Sequence, residues 1–509
     1  MCEKGKNQIM RKKIARFLKK NKIDIALIVI LLALTYWAWY LLTQMTIRGD
    51  GFVYMLKNTQ DAFFNRPLFF TGFENSAMIF GYLLPKLFGV NMHLYYWTVL
   101  VFMLAIDVLF YVTVKQVTKR SIVAFAASLI FAVHYFGNWD MVTTHCYCFF
   151  LERVIPTVFL IPSFLFLHLF LEKKKKKFFI ISSSFYFLGV GIGHFTVLLT
   201  PFFLFYPIFW YLFKEKKSKR KLIGIAIGLS FLLQSAFFVG IQQINESGLG
   251  PQKWTFSEFL FDPEKFEYVK KIALQFVYWT QYPVVVKNYA GDLLQSIIYV
   301  KTALSLIPHF LIIYAVTALI IYKRIPAQRP MLFTTLFGTI VIFYLNAYFN
   351  QYDMANYSGA SRYLFFPSFL LAIFWAFALW AIFWQKKIFF AIIGMFLLVG
   401  YYVINLLLIQ SAFIQLSGWN NSTRAIFDYV ITTRDRLSNN TLVIAPYPEF
   451  GSQESTFFTE RLGKGEVRYM SEHNFNDVDT WEKYASSAAH VLTLSYDWDC
   501  DCVKEERIK

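Results

Sequence analysis

The stretch Arg48-Gly49-Asp50-Gly51-Phe52-Val53-Tyr54 follows the first long apolar run of the chain. A carboxylate between two glycines suits a tight turn. At a membrane face such a group can act as a general base, taking a proton from an acceptor hydroxyl or orienting it. Arg48 and Tyr54 are placed to bind or stack on a polar ligand; the plain alternative is a turn aspartate. A second group of chemistry-bearing residues, Asp140, His145, Glu152 and Arg153, lies between two later apolar runs. Trp139-Asp140 also reads as a helix cap beside an interfacial aromatic. Arg153 and Arg362 each stand at the start of an apolar segment, where a guanidinium either snorkels to lipid headgroups or pairs bidentately with a phosphate. Tyr363 is the neighbour of Arg362, and His194 sits in a Gly-Ile-Gly-His turn inside a long apolar stretch. Asp107 and His168 fall within apolar runs, where structural pairing with a local partner is the expectation.

These residues need elements to hold them, and composition says which kind. The 509 residues are 57% hydrophobic and 16% charged, with 58 phenylalanines, and the mean hydropathy is +0.45. That is the profile of an α-helical polytopic membrane protein. The net charge of +18 comes in short basic runs between apolar segments, which is the positive-inside pattern and not a nucleic-acid surface. No nucleic-acid partner is expected. The five cysteines include the C-x-C pairs Cys146/Cys148 and Cys500/Cys502. That spacing fits disulfide-forming or unreactive cysteines better than zinc.

Residues 1–22 read as a basic cytoplasmic N-terminus and 23–410 as the membrane part. The first apolar run, to about Leu42, is too long for a signal peptide and reads as an uncleaved helix. External loops are expected at 46–75, 138–153, 244–295 and 350–361. Ser76–Gly89, broken by Pro85, is too short to span and is expected along the interface or re-entering. Phe178–Phe213 is too long for one span and is expected to fold as a hairpin turning near Gly191–His194. A surface amphipathic helix is expected at 264–278. Placing every basic cluster on one side gives about eleven spans, with the N-terminus inside and the C-terminus outside. Residues 411–509 read as a small extracytoplasmic α/β domain, with strands at Thr441–Ala445 and Val491–Ser495 and helices at 422–437 and 478–488. No nucleotide-binding or zinc-protease motif occurs, which argues against ATP-driven transport by this chain alone.

A cytoplasmic N-terminus followed by a first external loop with Asp50 and Tyr54 as Asp-x-x-x-Tyr resembles the GT-C superfamily of integral-membrane glycosyltransferases. Protein O-mannosyltransferases and aminoarabinose and oligosaccharyl transferases belong to it. The family often has an acidic pair at this point, where Gly51 follows Asp50 here. The resemblance implies a GT-C-like fold in the plasma or inner membrane. It also implies transfer of a sugar from a polyprenyl-phosphate-linked donor to a glycan, lipid or protein acceptor, with Asp50 as the catalytic carboxylate. It implies Arg362, in Ser-Arg-Tyr, and Arg153 as phosphate ligands, with Tyr363, Arg48, Tyr54 and His194 near the substrate. In some branches a second acidic residue shares a divalent cation with the first, so Asp140 and Glu152 become candidate ligands for Mg²⁺ or Mn²⁺. The competing class is a flippase or transporter for lipid-linked oligosaccharide, which often shows internal repeats; no repeated hydropathy pattern is evident. Polysaccharide polymerases and ligases concentrate arginine and histidine in a large late loop, and 244–295 contains neither.

Overall fold

The computed structural model describes residues 2–47, 52, 55–64, 75–135, 137–138, 141, 146–215, 218–245, 276, 293–349, 364–385, 388–446, 451–462, 467–472 and 485–508. Helix α1 (Cys2–Trp39) leaves helical geometry at Asn21, where the basic stretch meets the apolar one, and closes in a 3-10 turn, Tyr40–Gln44. Then come α2 (Lys57–Phe64), α3 (Asn75–Phe88), α4 (Met92–Thr118) and α5 (Ser121–Val133). Next are α6 (Ile155–Lys173), α7 (Lys176–Ile192), α8 (Thr200–Lys214) and α9 (Ser218–Asn245). The last membrane elements are α10 (Leu293–Arg324), α11 (Arg329–Phe349), α12 (Phe365–Leu379) and α13 (Ile388–Thr433). Among the described residues, 8 helical segments are long and apolar enough to cross a membrane, and Met78–Phe88 and Ser121–Val133 are shorter apolar helices. The chain is an integral, polytopic helical membrane protein.

The reversals follow from local sequence. Lys119 and Lys174 adopt left-handed φ values of 57° and 56°, ending α4 and α6 so that each next helix starts within two residues. Gly89 ends α3 the same way, at φ 58°, with its N–H on the Pro85 carbonyl at 2.9 Å; a glycine accepts this conformation at no steric cost. The expected hairpin within 178–213 is present, with α7 ending at Ile192 and a 3-10 turn, His194–Leu199, leading into α8. Hydroxyls hold neighbouring helices together: Ser163 and Ser182 each donate to the other's carbonyl at 2.8 Å, and Tyr186 meets Thr200 and Ser235 at 2.9 and 2.7 Å.

The basic clusters gather at one end of the bundle. Asp24 accepts from Lys115, Tyr111 (2.8 Å) and Ser121 (2.7 Å), Lys119 pairs with Glu172 at 3.2 Å, and Lys174 pairs with Glu215 at 3.6 Å. Gln328 donates to the Val117 carbonyl at 3.2 Å and Arg120 lies over the Trp380 ring. We call this the basic end and the opposite one the sheet end.

The C-terminal sheet has strands β1 (Thr441–Ala445), β2 (Val467–Ser471), β3 (His490–Asp497) and β4 (Cys502–Arg507), in the order β2-β1-β3-β4. The first three are parallel and β4 is antiparallel to β3. Helix α14 (Ser452–Leu462) makes the β1–β2 crossover. Both expected strands are present; β2, β4 and α14 are additional. The expected helix over 422–437 is instead the distal part of α13, which at 46 residues is roughly 70 Å long. Gly418-Trp419-Asn420-Asn421 looks like a break, but one helical glycine costs only about 1 kcal/mol, and Ser422 and Thr423 are fully buried. Of 478–488, only 485–487 lie among the described helical residues, and 264–278 lies outside the described residues but for Phe276. Cys500 and Cys502 form a disulfide, as that spacing suggested, and Cys146 is a buried free thiol.

One sheet face, with Val443, Leu492 and Leu494, belongs to the same core as Phe427 and Val430 of α13 and Phe457 and Phe458 of α14. Tyr429 of α13 donates to Glu505 of β4; burial first, then that carboxylate, push its phenol up to about 12, and burial takes Tyr469 to about 12. A raised folded value means the neutral phenol favours the folded form. The contribution is complete below the ordinary tyrosine value of about 10 and is lost as pH rises through about 12. Tyr429→Phe should therefore make the alkaline loss of sheet circular dichroism shallower. An identical pH profile would remove Tyr429 from that transition.

Candidate functional site

The sheet end is built around the segment that follows α1. Trp39 donates its indole N–H to the Ala132 carbonyl at 2.9 Å, His93 donates to the Thr43 carbonyl at 3.0 Å, and Tyr96 donates to the Thr46 carbonyl at 3.2 Å. Ile47 is fully buried. Phe52, two residues after Asp50, is fully buried and inserts into the C-terminal domain, with ring centroids 6.0, 4.8 and 6.4 Å from Phe427, Phe457 and Phe458. The Lys57 N–H donates to Glu460 at 3.1 Å, a second link to α14. The C-terminal domain thus grips the chain at Phe52 and Lys57, while α4 and α5 hold it at Trp39, Thr43 and Thr46. Arg48, Asp50, Tyr54, Asp140, Arg362 and Tyr363 themselves lie outside the described residues.

Beside this anchor, the chain enters α6 through a helical turn, Cys146–Phe149, and a single π turn, Phe150–Val154. A π turn inserts one extra residue per turn and swings side chains off the regular helical face, which is why such turns recur at functional sites. This one carries Glu152 and Arg153. Arg153 is 4% exposed, so it does not snorkel to the surface; its guanidinium lies 5.3 Å from the centre of the Phe149 ring, at cation–π distance. Phe149 in turn meets Phe365 edge-on at 5.0 Å, which places the π turn against the start of α12, three residues after Arg362. On the other flank Tyr147 packs edge-on against Tyr95 at 5.5 Å and Phe150 against Phe102 at 5.5 Å.

The Gly193 turn closes the group. A Cβ placed on Gly193 would lie 2.2 Å from Pro156 Cγ and 3.0 Å from the Glu152 carbonyl oxygen. The backbone turn that begins at His194 is therefore seated directly on the π turn. Of the residues singled out by sequence, Glu152, Arg153 and the His194 turn come together. Glu152, partly buried beside a cation, offers oxygens of the hard kind that Mg²⁺ and Mn²⁺ take. Among the described residues no three His, Cys, Asp or Glu side chains gather into a metal-binding group.

Two residues expected to be locally paired part company here. His168 has partners, Tyr206 at 2.7 Å and Glu172 at 4.0 Å. Asp107 is fully buried and both its oxygens are without a hydrogen bond among the described residues. Sequence reasoning gave no separate role to Phe52, Phe457 or Phe458. The available signal was an adjacent phenylalanine pair in the otherwise polar stretch Ser452–Leu462. Comparison of the chain with protein-family models and with curated proteins finds no match.

Proposed function

We propose that the chain is a membrane glycosyltransferase of GT-C type. It passes a sugar from a polyprenyl-phosphate-linked donor to an extracytoplasmic glycan, lipid or protein acceptor. In this reading about eleven spans place the basic end in the cytoplasm and the sheet end outside. The observation that carries it is the buried Arg153 on a π turn, assembled with the His194 turn and the start of α12, with Phe52, two residues from Asp50 in sequence, anchored at the same end. Asp50 takes or orients the proton of the acceptor hydroxyl. Arg153 and Arg362 hold the donor phosphate by charge-assisted, bidentate hydrogen bonds, with Arg48, Tyr54, Tyr363 and His194 around the substrate. Asp140 and Glu152 would hold a divalent cation, Mg²⁺ or Mn²⁺, which would neutralise phosphate charge. A donor assay on the purified protein tests the reading: Asp50→Asn is expected to abolish turnover while leaving donor binding intact. Unchanged turnover takes Asp50 out of the mechanism, and failure of the wild type to transfer from any polyprenyl-phosphate sugar sinks the assignment. The competing reading, a flippase or transporter, has one observation of its own, the buried Asp107.

A further inference from the structure

Asp107 sits on α4, fully buried, with neither carboxylate oxygen in a hydrogen bond among the described residues. Thr35 of α1 is the polar group that faces it, and the Thr35 hydroxyl makes no other hydrogen bond among the described residues. The third helix of this packing, α5, contributes Ser128, fully buried and unbonded as well. Two links fix how α1 and α5 lie: Ser121 bonds Asp24 near the basic end and Trp39 bonds the Ala132 carbonyl toward the sheet end. The two helices therefore run in the same direction side by side. Thr35 and Ser128 each precede one member of the Trp39–Ala132 pair by four residues. Thr35 and Ser128 therefore stand at the same level of the bundle, one turn below that link. Three buried, oxygen-bearing side chains on three mutually packed helices thus lie in this apolar core with no hydrogen bond among the described residues.

A buried carboxylate is retained only when its charge is balanced. The ionisable groups on the elements packed against α4 are engaged elsewhere. Lys115 and Tyr111 bind Asp24, and Lys115 is eight residues, about 12 Å, along the helix from Asp107. His168 is held by Tyr206 and Glu172. Arg153 lies over Phe149 in the turn that also carries Glu152, and Lys86 bonds Tyr82. His93, Tyr95 and Tyr96 donate to the carbonyls of Thr43, Gly89 and Thr46. Tyr36 stacks on Trp97. Helix α5 itself carries no ionisable side chain.

We propose that Asp107, Thr35 and Ser128 form a buried site for one small monovalent cation, a proton or a sodium ion, at the α1–α4–α5 junction. A proton turns the carboxyl into a donor for the Thr35 oxygen; a sodium ion is coordinated by carboxylate and hydroxyl oxygens. Either satisfies the otherwise unbonded groups, and the site stands whether or not the protein transfers sugar. An ionisable group this deep that finds no local partner is a candidate for ion or proton handling.

The test uses the full-length protein purified in detergent. Thermal unfolding is followed in sodium chloride against choline chloride at equal ionic strength, and across pH in choline chloride, for wild type and Asp107→Asn. With sodium as the ligand, the wild-type midpoint rises by several degrees in sodium chloride. With a proton, it ignores sodium and falls as pH rises, because the folded form then binds more protons than the unfolded one. In addition the infrared spectrum carries a carboxylic-acid carbonyl band that Asp107→Asn removes. In both cases Asp107→Asn loses the response while melting no lower than the wild type. Should that variant not fold, Thr35→Val with Ser128→Ala carries the measurement and is expected to weaken the response. The same response to both sodium and pH in wild type and variant overturns the proposal.

Discussion

Phe52→Ala is expected to unseat the C-terminal domain from the membrane bundle, at a cost of about 3–5 kcal/mol. The side chain is fully buried, and its ring centroid lies 4.8 Å from that of Phe457 and 6.0 Å from that of Phe427. Truncation leaves a ring-sized cavity among Phe427, Phe457 and Phe458, which also pack on one another: Phe427–Phe458 at 4.8 Å and Phe457–Phe458 at 5.7 Å. Those rings close partly around the gap, so the domain keeps its own core while losing its hold on the first loop. The remaining tie, Lys57 N–H to Glu460, is solvent-exposed and weak alone. Hydrogen exchange resolves the two effects. Faster exchange should appear in α2 and the distal turns of α13, with β1 and β3 protected as before. Limited proteolysis after Ile47 should also become faster. Phe52→Leu, which refills most of the volume, should lie between wild type and alanine. An alanine variant with unchanged exchange and proteolysis would show that the contact does not couple the domain to the loop. In the transferase reading the same variant loses turnover without losing donor binding, because the phosphate-binding residues are carried by other elements.

The sequence was most legible where one local rule acted alone. Apolar length marked α1 and α4, and the basic runs foretold that Lys115, Lys119, Lys174 and Lys214 would share one end. The excess length of 178–213, with its glycines, placed the reversal at Gly193. Strands β1 and β3 were visible because Thr441–Ala445 and Val491–Leu494 are almost wholly apolar and flanked by polar residues. Strand β4 was not, because four of the six residues of Cys502–Arg507 are charged, as suits an edge strand. The continuity of α13 depended on burial of Ser422 and Thr423, which is a tertiary fact. At the candidate site, Arg153 was legible as a residue but not in its setting. A snorkelling and an inward-facing arginine look alike in sequence, and only the π turn, with the guanidinium inward over Phe149, separates them. Helical propensity carries no signal for a π turn, since its residues are ordinary helix formers.

Gly193→Ala is expected to destabilise the bundle by about 1–3 kcal/mol, a large effect for one methyl group. Backbone strain is not the cause: Gly193 has φ −147°, an extended conformation open to any residue. Contact is. The added carbon would lie 2.2 Å from Pro156 Cγ and 2.8 Å from its Cβ, far inside van der Waals separation. A flexible side chain would swing aside, but a proline ring is closed on its own backbone, so relief requires moving the first turn of α6 or the His194 turn. Either movement passes to the π turn, because Glu152 contributes the third close atom, its carbonyl oxygen at 3.0 Å. Gly400→Ala is the control, since it lies within α13 with nothing within 4 Å of the new carbon, and should gain roughly 0.5–1 kcal/mol from reduced backbone entropy. Thermal unfolding of the two variants in one detergent should therefore shift in opposite directions. In the transferase reading Gly193→Ala also weakens donor binding, through displacement of Arg153, and Gly400→Ala leaves it unchanged. If Gly193→Ala melts with the wild type, Pro156 and the π turn yield freely, and a site that yields so easily is not pre-organised to hold a phosphate.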